Sequence, residues 1–413
     1  MAHPTWRRGR PKGLTVASFI PLEPAQPPST RAPAFALWQL GFRPFYLLAS
    51  GFAALSIALW AMQFAGWLPT AYLQGPMWHA HEMLFGFTLA VIVGFLFTAG
   101  RNWSGQPTPT GLPLAALAVL WVAGRVLVLT PFAWTAAVAN AAFPLACALA
   151  LARPLVAARN RRNYFFVGLL LLLSGAAFAF HLSALGVIEV PAWLGIQLAL
   201  DVLLFIMAVM AGRVVPMFTN NGISGAGATR HALVEKAALG LVLALLLADA
   251  TGLPPVAGMA IALLAALAHL VRWLLWRPWK SPANTLVLVL HVAYAWIPVH
   301  LALRALALHG AVPASLATHA LTVGAAGGLI IGMMVRTARG HTGRVLRADQ
   351  VDTACFVLVL LAALVRILVP LAAPAHTVAA VLFSAAFWSL GFGLFAVRYW
   401  PVLTRARADG KPG

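Results

Sequence analysis

The feature that most constrains this chain is a succession of apolar runs, each about 20 residues long, with most of the charge held in the short segments between them. A run of that length, wound as a helix, covers a bilayer core of roughly 30 Å. Twelve such runs lie near 44–66, 78–100, 111–130, 132–152, 163–185, 192–212, 234–252, 254–273, 284–307, 314–337, 351–370 and 375–398. They are continuous, without the ten-residue alternation that marks a transmembrane barrel. Charged residues make up only 9% of the chain against 62% hydrophobic, and a soluble domain carries about a quarter charged residues. There is too little charge to coat a water-facing surface. The sequence therefore predicts an all-α polytopic membrane protein of about twelve transmembrane helices, and excludes both a soluble globular fold and a disordered chain.

The net charge of +19, from 28 basic against nine acidic residues, would point to nucleic acid in a soluble protein. In a membrane protein it sets sidedness instead, and no nucleic-acid partner is predicted. Arg7, Arg8, Arg10, Lys12, Arg31 and Arg43 precede the first run, and every second loop afterwards is basic as well. Arg125, Arg304 and Arg366 alone depart from that alternation. By the positive-inside rule both termini are expected in the cytoplasm, which requires an even number of spans.

Three regions are expected. Residues 1–36, rich in Pro, Arg and Ala, read as a disordered basic cytoplasmic tail in reach of anionic membrane lipid. The apolar stretch 14–20 within it is too short for a signal-peptide core. Residues 37–400 form the transmembrane domain, and 401–413 a short cytoplasmic tail. Cys147 and Cys355 read as buried free thiols, and the absence of Cys-x-x-Cys-His excludes covalent c-type haem.

Ionisable side chains inside a membrane are costly and point to function by default. Twelve histidines against nine acids is already unusual. His79, His81, His181, His300 and His319 fall in the outer halves of four different runs, with Glu82 and Arg125 at similar depth; His291 lies deeper. Imidazole is cheap to bury when neutral and ligates haem iron and copper. A membrane histidine can equally serve only to hydrogen-bond a neighbouring helix. His79 and His81 point about 200° apart on an α-helix, so they belong to different sites unless His79 precedes the helix. No run carries histidines at i and i+4, so any metal site must be built between helices. Gly324, Gly328 and Gly332, like Gly86, Ala90 and Gly94, make small-residue stripes suited to close helix packing.

Particular strings carry more than composition. Phe42-Arg43-Pro44-Phe45, then Trp78-His79-Ala80-His81-Glu82-Met83-Leu84-Phe85-Gly86-Phe87, then Asn102-Trp103-Ser104-Gly105 resemble the NnrS family. So do Gly212-Arg213-Val214-Val215-Pro216-Met217-Phe218-Thr219 and Gly340-His341-Thr342-Gly343-Arg344, as well as His291 with Tyr294 and Trp296. The resemblance implies a twelve-span protein of the bacterial inner membrane that contains haem b and copper and is linked to nitric oxide metabolism, nitrosative stress and denitrification. Nitric oxide or a nitrosyl species is the implied partner, with an electron donor that the sequence does not identify; no enzyme class is carried over. Expected metal ligands are His79, His81, His291 and His319. Expected cofactor contacts are Arg43, Glu82, Arg213, His341 and Arg344; the guanidiniums among them suit haem propionates, and Glu82 is placed to orient a ligand ring. His181, His300 and His376 lie outside the matching strings.

Two other classes compete. Twelve spans also suit a secondary transporter, but the loop Gly100-Arg101-Asn102-Trp103-Ser104-Gly105-Gln106 lacks the acid of a major-facilitator signature. Asp201 is its one mid-membrane carboxylate. A non-catalytic accessory of a respiratory complex would bind metal without turnover.

Overall fold

The structure is a computed structural model and describes residues 35–67, 72–73 and 75–411. The tail expected over 1–36 falls outside these residues up to position 34. The described residues form twelve continuous helical rods: α1 (Phe42–Phe64), α2 (Gly75–Ser104), α3 (Gly111–Leu127), α4 (Ala133–Ala157), α5 (Phe165–Ala184), α6 (Ala192–Gly222), α7 (Ala232–Thr251), α8 (Pro255–Leu275), α9 (Thr285–Leu308), α10 (Ala314–His341), α11 (Gln350–Ala372) and α12 (Thr377–Thr404). The protein is thus an all-α polytopic membrane protein. Ten of the rods are long and apolar enough to cross a bilayer. The other two occupy expected positions but differ from the expectation for identifiable reasons. α3 has only 17 residues, about 26 Å of helix. α7 has 20 residues but carries Glu235, Lys236 and Asp249.

Local chemistry sets many of the rod ends. Left-handed glycines stop α2 at Gly105 (φ 66°) and α7 at Gly252 (φ 66°), a conformation that favours residues without a Cβ. Pro255 opens α8 at its first turn, where the missing N–H costs nothing. The Asn284 side chain caps α9 through the Leu286 N–H, and Asp349 with Asp352 makes a reciprocal capping box at the start of α11. At the other end of the chain α12 continues to Thr404, past the expected limit at 400.

Each rod packs on its successor, and α12 closes the circuit by packing on α1. α9 also reaches across to α6, and α4 to α2. The three most buried rods are α2, α6 and α10, with 83%, 72% and 72% of their most apolar windows inside the protein. They recur every fourth rod, so each group of four contributes its second member to the centre. The glycine stripes serve this packing: a Cβ on Gly324, Gly328 or Gly332 would meet Trp296, Ala293 or Val289 of α9, and one on Gly94 would meet Phe45 of α1. Cys147 and Cys355 are both free and buried.

Two of the three central rods are not α-helical throughout. In α2, Glu82–Thr88 is π-helical, and in α10, Ala320–Gly327 is. Each wide stretch begins immediately after a histidine, His81 in one case and His319 in the other. The wider i→i+5 turn is uncommon and recurs at functional sites.

Candidate metal centre

His79 and His81 both lie in α2 and face different neighbours, in keeping with their angular separation. His81 turns towards α5, where its ring meets that of His181 edge-on, with centroids 4.8 Å apart and planes at 71°. Both rings are fully buried. His81 Nδ1 lies 2.7 Å from Glu82 Oε1. That oxygen also accepts from Arg125 Nη1 of α3 at 2.8 Å. Arg125 in turn donates from Nη2 to Asn140 Oδ1 of α4, and Asn140 Nδ2 donates to the Ala136 carbonyl at 2.8 Å. On the other ring, His181 Nδ1 lies 3.2 Å from the Tyr72 hydroxyl. Both Nε2 atoms are buried and have no hydrogen-bond partner. With Glu82 ionised and already receiving from Arg125, His81 Nδ1 is the donor to it, which leaves a lone pair on Nε2.

This is the arrangement metal-binding histidines adopt: one nitrogen held by a carboxylate or other oxygen, the other free to ligate. Phe85 and Phe180 wall the pair, with ring centroids 5.3 and 5.2 Å from His81. Among the described residues no group of three or more His, Cys, Asp or Glu side chains is placed to hold a metal ion. The His81–His181 pair therefore offers two protein ligands, and these residues fit copper, to which imidazole is well suited. His181 lay outside the recognisable strings, although its depth placed it with the other outer histidines. Asn140 carried its own signal, as an amide inside an apolar run, because a buried polar group must find a partner.

His79 faces α1 and α10 instead. Its ring is stacked on Trp60 at 4.7 Å and lies parallel to His319 at 6.1 Å. The His319 Nδ1–H donates to the Ser315 carbonyl at 2.6 Å, since a carbonyl can only accept. Its Nε2 is left as the basic nitrogen, the form that serves as an axial haem ligand. His79 Nδ1 is buried without a partner.

His291 has a third set of neighbours. Its Nε2 lies 2.8 Å from Thr219 Oγ1 of α6, and that hydroxyl is also 2.8 Å from the Val215 carbonyl. Its Nδ1 is buried and unpartnered, and Trp273 Nε1 donates to the His291 carbonyl. Nearby, Tyr294 joins α9 to α8: its hydroxyl is 2.7 Å from His269 Nδ1 and accepts from Arg272 Nη1 at 3.3 Å.

Of the expected cofactor arginines, Arg43 lies at the start of α1 and Arg344 just past the end of α10. Arg43 is fully buried and donates from Nη1 to the carbonyls of Leu403 and Arg405, at 3.0 and 2.8 Å. Arg407 Nη1 donates to the His341 carbonyl, and the Ala408 N–H to the Thr342 carbonyl. Arg344 Nη1 donates to Thr342 Oγ1 at 2.8 Å. The strings Phe42-Arg43-Pro44-Phe45 and Gly340-His341-Thr342-Gly343-Arg344 thus meet around the segment after α12, with the Phe42 and His341 rings 5.7 Å apart. Arg213 stands elsewhere. It donates to Asn163 Oδ1 at 2.8 Å and lies over the rings of Trp103, Phe165 and Phe166.

The geometry thus divides the sequence-predicted residues into several groups. The model of the family described as NnrS protein matches residues 36–407, nearly the whole chain. The chain belongs to the NnrS family. No curated protein matches it. Within this NnrS chain the matched region contains all of the expected site residues, from Arg43 to Arg344.

Proposed function

We propose that this NnrS-family protein binds haem b and copper within the membrane and binds or turns over nitric oxide or a nitrosyl species there. The observation that carries the reading is the His81–His181 pair: two buried imidazoles from α2 and α5 in edge contact, each with Nδ1 engaged and Nε2 unpartnered. An unsatisfied ring nitrogen in a buried site is a cost that a ligated metal removes. We assign copper to this pair. His319, anchored through Ser315, is the histidine best prepared for haem iron, with His79 beside it. Bound metal would supply a coordination position and one-electron chemistry for a small neutral diatomic, which needs no charged entry path.

The chain's own part is to hold the rings. Glu82, fixed by Arg125 and Asn140, sets the tautomer and direction of His81; Tyr72 fixes the direction of the His181 ring. The phenylalanines around them keep out water. The distribution of arginines supports cytoplasmic termini and residence in a bacterial inner membrane.

The test is metal analysis and a reduced-minus-oxidised optical spectrum on detergent-purified protein expressed with added haem and copper. Copper should fall to background in His81→Ala and His181→Ala while the haem signal persists, and nitric oxide should shift the reduced spectrum. Protein with neither metal above background, or copper unchanged by both substitutions, would overturn the proposal.

A further inference from the structure

A second buried polar assembly shares no residue with the histidine centre. Arg304 of α9 donates from Nη1 to Asp201 Oδ1 of α6 at 2.7 Å, and from Nη2 to Asp249 Oδ2 of α7. Gln197, one turn earlier on α6, donates to the same Asp201 oxygen at 3.2 Å. The Asp201 side chain is 1% exposed, and its Oδ2 is buried with no hydrogen-bond partner. Asp249 is 24% exposed and lies in the last turn of α7, just before the turn at Gly252.

Charge and hydrogen bonding both leave this assembly incomplete. Two carboxylates face one guanidinium, so the fully ionised set carries one negative charge inside a membrane protein. The surrounding rods do not supply the missing cation. From α9 the nearest titratable neighbour is His300, one turn before Arg304. Its Nδ1–H donates to the Ala317 carbonyl at 2.8 Å and its Nε2 is unpartnered, the neutral form of the ring. On α8, His269 is engaged by Tyr294, and Arg272 by Glu235. On α5, His181 is engaged by Tyr72. The remaining charges of α6 and α7, Arg213, Glu235 and Lys236, sit towards the opposite ends of those rods. A buried group in this position neutralises itself by taking up a proton, because an unpaired charge is costly in low dielectric.

We infer that Asp201 and Asp249 hold one proton between them, with Asp201 Oδ2 as its buried seat and Asp249 as the solvent-facing end. The proton bonds to a carboxylate oxygen and comes from bulk water, so nothing is oxidised or reduced. A metal cation does not suit the site: the guanidinium of Arg304 already stands between the two acids and would repel it. The two acids are coupled, since each carboxylate is held against the same arginine and feels the charge of the other. This gives the chain a place to take up and release one proton from the side on which α7 ends. The inference stands independently of the metal content of the protein.

The decisive measurement is infrared spectroscopy of the full chain in lipid or detergent, with and without 13C-labelled aspartate. At neutral pH the wild type should show the C=O stretch of a protonated, buried carboxylic acid, and the band should move with the aspartate label. Asp201→Asn and Asp249→Asn should each abolish it, because either change leaves one carboxylate matched to Arg304 and no need for a proton. Absence of a protonated aspartate band in the wild type from about pH 5 to pH 8, the range in which folded proteins tend to be most stable, would overturn the inference. A band lost only in Asp201→Asn would equally overturn it, since the proton would then belong to one acid alone. Should neither variant fold, Asp249→Glu decides the matter: a carboxylic acid band that shifts supports the shared proton, and a band that does not move overturns it.

Discussion

Glu82 Oε1 accepts from both the His81 ring and the Arg125 guanidinium, at 2.7 and 2.8 Å, so one carboxylate oxygen couples a candidate metal ligand to a buried cation. Its partner Oε2 has no hydrogen bond. Glu82→Gln keeps the shape but removes the charge that fixes the His81 tautomer. Copper affinity should fall about 10- to 100-fold, the usual effect of losing such a supporting carboxylate, while copper remains detectable at saturation. Competition with a copper chelator measures it; unchanged affinity would remove Glu82 from the centre. Glu82→Ala also leaves Arg125 uncompensated and should cost about 3–5 kcal/mol of stability, read as a lower melting temperature in detergent.

Asn140 is the far anchor of the same chain of bonds, taking the second Arg125 nitrogen and tying it to the Ala136 carbonyl. Asn140→Leu should destabilise the protein by about 1–3 kcal/mol, the cost of leaving a buried donor unsatisfied. It should also weaken copper binding less than Glu82→Gln does, because it acts one bond further away. Equal stability of the variant and the wild type in thermal unfolding would contradict this account of Arg125.

Much of this arrangement could be read from the sequence, and the rest was hidden for physical reasons. Apolar runs locate the rods because backbone groups in a bilayer must be satisfied within a helix. The 200° separation of His79 and His81 correctly sends them to different neighbours, Trp60 and His319 for one and His181 for the other. Partner choice was not legible, since contacts such as those of Asp201 with Arg304 and Asp249 join α6, α9 and α7, which are distant in sequence. The π-helical stretches were also invisible: Glu82–Thr88 and Ala320–Gly327 contain ordinary helix-compatible residues, and hydropathy does not report one extra residue in a turn. The family strings Phe42–Phe45 and Gly340–Arg344 imply cofactor contacts, and their side chains and backbone also meet the segment from Leu403 to Ala408, which no spacing in the sequence announces.

Gly324 sits inside the π-helical stretch of α10, where an added Cβ would lie 2.5 Å from Trp296 Cγ of α9. The clash also reaches Trp296 Cβ at 3.0 Å, the root of the side chain, which cannot swing away as a flexible far end could. Gly324→Ala should therefore cost about 1–3 kcal/mol, the range for overpacking a filled site. Gly51, with open space around its Cβ position, is the matched control and should tolerate alanine. Similar melting temperatures for the two variants would show that α9 and α10 do not pack this closely.

Asp349 lies outside the membrane-spanning segments and caps α11. Partial burial alone would raise its pKa, but the Asp352 N–H and the guanidiniums of Arg398 and Arg339 hold it down to about 2. A carboxylate whose pKa is depressed by folding contributes stability above its unfolded value of about 4 and loses that contribution as pH falls through the folded value. Asp349→Asn should thus be less stable than the wild type at neutral pH. The difference should shrink between about pH 4 and the folded-state value of about 2. Thermal unfolding in detergent across that window is the check, and a difference that stays constant with pH would mean that the cap acts without its charge.

The segment after α12 ties three parts of the chain together at one end of the bundle. Arg43 of α1 takes the Leu403 and Arg405 carbonyls, the turn after α10 takes Arg407 and Ala408, and Arg407 forms a two-pronged pair with Asp409 at 2.9 and 2.7 Å. Ending the chain after Thr404 would remove all of these contacts except that of Arg43 with Leu403. Arg43 is the costly loss, because its guanidinium is fully buried and would surrender the Arg405 carbonyl. Truncation should lower the melting temperature and open the His341–Arg344 turn to proteolysis, with copper content unchanged, since His81 and His181 have no contact with this segment. Substituting Arg407→Gln alone should give a smaller effect in the same direction, because the Asp409 pair lies near the surface and is screened by solvent. Loss of copper on truncation would show instead that this end of the bundle and the histidine pair are coupled through α2.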